Sequence, residues 1–267
     1  QVGMGAAAHQ IAVIQHQNAV RTLHSGSALG NNKYRHAGNT YEIGQHGFAR
    51  DMDFKLTYKE DKGAVYWLES TPDTLSKFPF PFRLLVGYLL EENKITVKWR
   101  VENLGAMDMY FQIGAHPAFY FPEFDAATKD RGFFVFDRKS DLEYIMPTEK
   151  GCVSPERHVL KLNKEGLMPI DIHTFDCDTY IFDNKQLKKI TLLDKKKKPH
   201  ISLEFNSPLV ALWSPTKTHP DCPFVCIEPW YGRCDSVGYS GELKDREWIQ
   251  KLEPKETFDV EYKIIIE

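Results

Sequence analysis

The chain has 267 residues, 42% of them hydrophobic and 13% aromatic, and a formal net charge of −3. That is enough apolar material for one large β domain or two average domains, and the mild acidity excludes the global basic field that recruits nucleic acid or an anionic membrane. Five cysteines, at 152, 177, 222, 226 and 234, are an odd number scattered through a large chain, which points to free thiols in a reducing cytosol rather than to a disulfide framework. No apolar run reaches membrane-spanning length and no signal-peptide pattern opens the chain, so a cytoplasmic setting is expected.

In chain order, residues 1–30 come first and stand apart. They are rich in Ala, Gln and His, poor in acid, and lack the alternation found later. Strands are predicted from there on. DFKLTY (53–58) and AVYWLES (64–70) flank a turn at Asp61–Gly63. TPDTLSKF (71–78) reads as a short helix, with Thr71 as N-cap and Pro72 in the first helical position. FRLLVGYLL (82–90) and KITVKWRVEN (94–103) form a hairpin. In the second of these, Ile95, Val97, Trp99 and Val101 share one face while Thr96, Lys98, Arg100 and Glu102 share the other. KKITLLD (188–194) leads into a lysine run at 195–198, read as a solvated hairpin tip because no aromatic platform interleaves it. HISLEF (200–205) and TFDVEYKI (257–264) alternate again, and GELKDREWIQ (241–250) is a second helix candidate. Strands every ten residues or so, with no repeat and no linker, predict a single antiparallel β domain of sandwich or barrel type over 1–267.

Familiar motifs are absent. There is no HExxH, no phosphate-binding GK[ST], no glycine fingerprint and no GxSxG elbow. His219, Cys222, Cys226 and Cys234 lie close in sequence, yet their spacing matches no paired zinc scheme, and Cys226 sits in an apolar run where a cysteine is a small core residue; no metal is expected.

Three stretches place an ionisable residue in a tight or apolar context: GQHGFARD (44–51), GAHPAFYFP (114–122) and CIEPWYGRCD (226–235). Pro117 biases His116 toward extended backbone. Glu228 follows an apolar run and precedes Pro-Trp, and removing water from such a carboxylate favours its protonated form, which suits a general base. Singly, each has an ordinary structural explanation: a loop His46, a core His116, a Glu228 paired with Arg233. Together, a histidine and a glutamate form an acid–base couple for neutral pH, and Phe119, Tyr120, Trp230 and Tyr231 offer faces for the C–H patches of a sugar. The residues alone lead to a β protein with a polar, aromatic pocket for a carbohydrate.

In order, QHGFARD, the V-x-N…G-x-HPAF run from Val101 to Phe119, and CIEPWYGR resemble the aldose 1-epimerase (galactose mutarotase-like) family, in its branch of mutarotase-related proteins. The resemblance covers residues 31–267. It implies an all-β, large antiparallel β-supersandwich with a few short helices. It also implies interconversion of the α and β anomers of a hexose or hexose phosphate, with no cofactor. Matched motifs make Glu228 the base, His116 the acid and His46 an assisting group. Asp178 matches the substrate-binding aspartate, with Asp176 or Asp183 as substitutes, and Arg50, Arg233 and Trp230 are pocket-edge candidates. The expected partner is a small-molecule sugar. One departure stands out: Ser27 and Ala28 occupy the place of the family's pocket arginine, with Arg21 and Arg35 as candidate replacements. The alternative that this departure motivates is a sugar-binding protein that keeps the fold without catalysis.

Overall fold

The computed structural model describes residues 33–44, 46–148 and 151–267, together with the backbone of Arg21–Thr22. Ser27, Ala28 and most of the atypical opening segment lie outside the described residues.

Two antiparallel sheets dominate. A nine-stranded sheet runs in the spatial order Leu167–Asp171, Asp130–Phe136, Lys189–Leu193, Pro199–Phe205, Thr257–Ile266, Lys94–Asn103, Phe82–Glu91, Gly63–Glu69 and Lys55–Glu60. A six-stranded sheet runs Arg21–Thr22, Ile113–Gly114, Phe224–Tyr231, Leu209–Trp213 and Tyr180–Phe182, with Ala118–Tyr120 also paired to Phe224–Tyr231. One apolar core joins them: Val97, Trp99 and Val101 of the large sheet belong to the same buried cluster as Val210, Leu212, Val225 and Ile227 of the small one. The protein is therefore an all-β supersandwich, as the resemblance implied.

The strand signals predict their elements closely. Lys94–Asn103 is a strand as read, with Val97, Trp99 and Val101 buried and Lys98 and Arg100 exposed. Pro72–Lys77 is a helix with a full capping box between Thr71 and Thr74. The lysine run is a hairpin tip, its backbone held by the Asp194 carboxylate, which accepts from the amides of Lys196 and Lys198 at 2.8 and 2.7 Å. The predicted helix over 241–250 does not form. Only a 3-10 turn at Leu243–Asp245 appears, followed by strand Gln250–Leu252. The chain leaves the helix because Arg246 is drawn into the interior to meet Asp235 at 2.9 Å, and Trp248 takes a left-handed φ of 63°, which no helix interior tolerates.

Asn103 ties the C-terminal hairpin to the sheet. Its buried amide nitrogen shares its two hydrogens among the carbonyls of Met107, Leu252 and Glu253 at 2.8–3.0 Å, and its oxygen accepts from the amide of Gly105 at 2.9 Å, so both ends of a desolvated amide are satisfied.

Candidate active site

The site lies on the face of the six-stranded sheet turned away from the main core. Along Phe224–Tyr231, Val225 and Ile227 enter that core, so strand periodicity sends Cys226, Glu228 and Trp230 to the opposite face. Trp230 joins a second, smaller apolar cluster there with Ile145, Val153, Ile181, Leu209 and Ala211.

Register brings the acid and base candidates together. Gly114 faces Trp230 and Ala118 faces Cys226 in one continuous antiparallel register, which sets His116 opposite Glu228. Flanking backbone bonds run from Ala115 N to Pro229 O at 3.0 Å and from Ile227 N to Pro117 O at 3.4 Å. His116 and Glu228 thus occupy the non-hydrogen-bonded position between them, where opposed side chains stand closest. His116 Nδ1 lies 3.2 Å from Glu228 Oε1. The glutamate is 1% exposed and the histidine side chain 19%, so the carboxylate has lost its water while one edge of the imidazole still meets solvent.

Pro117 and Pro229 remove the amides that would continue the ladder at this point. The carbonyl of Ala115 receives the indole N–H of Trp230 instead, at 3.3 Å. That ring abuts Gly114: a Cβ there would stand 2.5 Å from Trp230 Cδ1.

Two rings flank the imidazole of His116. His46 is edge-on with centroids 6.0 Å apart, and Trp213 is edge-on at 5.6 Å. His46 reaches this position because the loop turns through two successive left-handed residues, His46 at φ 74° and Gly47 at φ 71°, closed by Gly47 N donating to Gly44 O at 2.9 Å. Trp213 comes from the neighbouring strand, opposite Cys226. Sequence reasoning missed it, since ALWSP carries no acid, base or repeat that marks it out. Of the aromatics that were expected to line the pocket, Phe119 is in the main core and Tyr231 packs on Phe258 toward it, and Tyr120 is exposed.

The remaining candidates are spread more widely. Asp178 follows the register of Tyr180–Phe182 against Leu209–Trp213, which sets it at the sheet rim, roughly 10 Å from the glutamate strand by two strand spacings. It has a left-handed φ of 80° and its carboxylate accepts from Thr179 Oγ1 at 2.7 Å. Asp176 meets His173 Nδ1 at 3.0 Å, and buried Asp183 is engaged by Arg157. Arg50 is exposed and lies 3.4 Å from Asp51. Arg233 is buried; its guanidinium donates to Cys234 O at 2.7 Å and pairs with Glu247. Arg35 is 3.7 Å from Glu242. The structure therefore brings together His46, His116 and Glu228, with Trp230 beneath them, and leaves Asp178 and Arg50 at the margins.

Cys226 lies beside the pair. One ligating atom from each of His116, Cys226 and Glu228 falls within 4.8 Å of the other two, the one such trio among the described residues.

The chain is similar to known proteins of one family. The family model described as aldose 1-epimerase matches residues 10–247. The plasmid-borne LacX protein of Lactococcus lactis is 26% identical over 228 residues, which span 84% of this chain and 75% of LacX. A galactose mutarotase related enzyme from Lactobacillus acidophilus superimposes with a TM-score of 0.79 at 26% identity, covering 89% of this chain and 78% of that one. A galactose mutarotase-like protein from Lactobacillus casei gives a TM-score of 0.79 at 25% identity, over 93% of this chain and 84% of its own.

Proposed function

Because the chain belongs to the aldose 1-epimerase family, we propose that it is a mutarotase, interconverting the α and β anomers of a hexose or hexose phosphate. The observation that carries this reading is the 3.2 Å approach of His116 Nδ1 to Glu228 Oε1, with the glutamate buried and the histidine still partly exposed. Mutarotation needs one group to take a proton and another to give one, within a single sugar ring of each other.

In the proposed reaction Glu228 removes the proton from the anomeric O1 hydroxyl, a transfer favoured in a carboxylate stripped of water. His116 delivers a proton to the ring oxygen through Nε2, the nitrogen turned away from Glu228. The C1–ring oxygen bond breaks, leaving a C1 aldehyde and a hydroxyl on the former ring oxygen. Rotation about C1–C2 presents the other carbonyl face. Closure then runs both transfers backwards, so Glu228 and His116 recover their starting states without an external proton. His46 holds a neighbouring oxygen, Trp213 offers its face to the ring C–H groups, and Asp178 accepts a bond from a distal hydroxyl. The names of the solved relatives, a galactose mutarotase related enzyme and a galactose mutarotase-like protein, support the same reading.

Polarimetry on freshly dissolved α-glucose, α-galactose and their 6-phosphates tests it. The protein accelerates decay of rotation over buffer, and Glu228→Gln slows it by at least about a hundredfold. Sugar binding by calorimetry with no acceleration on any of these sugars supports the non-catalytic alternative and overturns the proposal. An Arg50→Ala loss confined to the phosphorylated sugars identifies them as the substrate class.

A further inference from the structure

Three donors of different chemistry converge on the site floor, and the catalytic reading uses only two. Cys226 is two residues before Glu228 on the same strand, so both point to one face. His116 comes from the adjacent strand in fixed register, and Cys226, 1% exposed, stands between Ala118 on one neighbouring strand and Trp213 on the other. Burial pushes the Cys234 thiol up to about 12 and raises that of Cys222. Among the described residues, neither groups with a second and third ligating residue as Cys226 does.

We infer that His116 Nδ1, Cys226 Sγ and a Glu228 carboxylate oxygen form a binding site for a thiophilic divalent cation of the zinc class, and that the ion and the sugar exclude each other. Tetrahedral zinc places its donors roughly 3.3–3.8 Å apart. The nitrogen and carboxylate oxygen already stand 3.2 Å apart, and all three donors lie within 4.8 Å, so adjustments of about 1 Å complete the geometry. One thiolate, one imidazole and one carboxylate suit zinc and not the oxygen-seeking magnesium or calcium. The fourth position takes water. A bound ion occupies the carboxylate of Glu228, the base of the proposed reaction, and so halts proton transfer. This inhibition rests on the catalytic reading above; ion binding itself does not.

The full-length chain, freed of metal with a chelator, is titrated with Co²⁺ as a spectroscopic probe and with Zn²⁺ in the polarimetric assay, with Mg²⁺ as control. Co²⁺ gives a sulfur-to-metal charge-transfer band and strong tetrahedral visible bands, and Zn²⁺ displaces both. Zn²⁺ arrests mutarotation, added sugar relieves it, and Mg²⁺ does neither. Cys226→Ser and Cys226→Ala lose the charge-transfer band and the zinc sensitivity while their metal-free rates stay close to the parent's. Cobalt binding without the sulfur band, or zinc inhibition undiminished in both variants, overturns the site. If the parent shows no mutarotation, the cobalt spectrum still decides ion binding, which separates failure of this site from failure of the catalytic reading.

Discussion

The indole N–H of Trp230 donates to the carbonyl of Ala115 at 3.3 Å, replacing the amide that Pro229 lacks. Trp230 is thus a strut for the strand break that displays His116. Its ring fits only because residue 114 has no side chain. Gly114→Ala drives a methyl group into the indole and costs about 1–3 kcal/mol by overpacking. Trp230→Phe loses one buried hydrogen bond, about 1 kcal/mol. Urea denaturation measures both, and mutarotation by the folded fraction of Trp230→Phe falls because the strand break that displays His116 loses its side-chain tether.

Trp213 stands edge-on to His116 at 5.6 Å yet has no ionisable group. A stacking surface binds ground state and transition state alike, so Trp213→Ala raises KM several-fold with a smaller change in kcat. Steady-state polarimetry over a range of sugar concentrations separates the two, and a kcat loss as deep as that of Glu228→Gln assigns Trp213 a larger part.

Arg246 and Asp235 are 2.9 Å apart with side chains only 3% exposed, and burial pushes the Arg246 guanidinium below its ordinary value. Asp235→Asn strands a buried cation and destabilises the fold by about 3–5 kcal/mol. The double variant Asp235→Leu/Arg246→Met recovers most of that loss, because the larger cost is the uncompensated charge. Thermal unfolding of the single and double variants reads the difference.

Acid weakens the fold in a defined window. Burial depresses the pKa of His200 and of His36 below the ordinary 6.5, Asp194 and Glu242 respectively opposing the shift. The unfolded chain therefore binds protons at these histidines before the folded one. Their contribution is complete above the unfolded value near 6.5 and is lost as pH falls from there through the lower folded values. Urea midpoints from about pH 7.5 to about pH 5 decline, and His200→Gln makes the decline shallower.

Half-buried strands write their pattern in the sequence, since one face is wet and the other dry. Lys94–Asn103 and Thr257–Ile266 were legible for that reason. The segment at 241–250 misled because its Glu, Lys and Arg residues favour a helix locally, while a buried ion pair with Asp235, remote from any local pattern, directed the chain elsewhere.

By itself the sequence determined the β class, the short capped helix, the family, and the three stretches that hold His46, His116 and Glu228. Those follow from local alternation, capping and motif order, all carried within a few residues. Only the tertiary structure decided what faces what. Phe224–Tyr231 is covered on both sides, so its pattern is continuous rather than alternating and conceals which face bears Glu228. Register across two strands set His116 against Glu228, placed Trp213 beside them and brought in Cys226, which its sequence neighbours had marked as ordinary core. Pairing of strands distant along the chain is a property of the whole sheet, and no single strand records it.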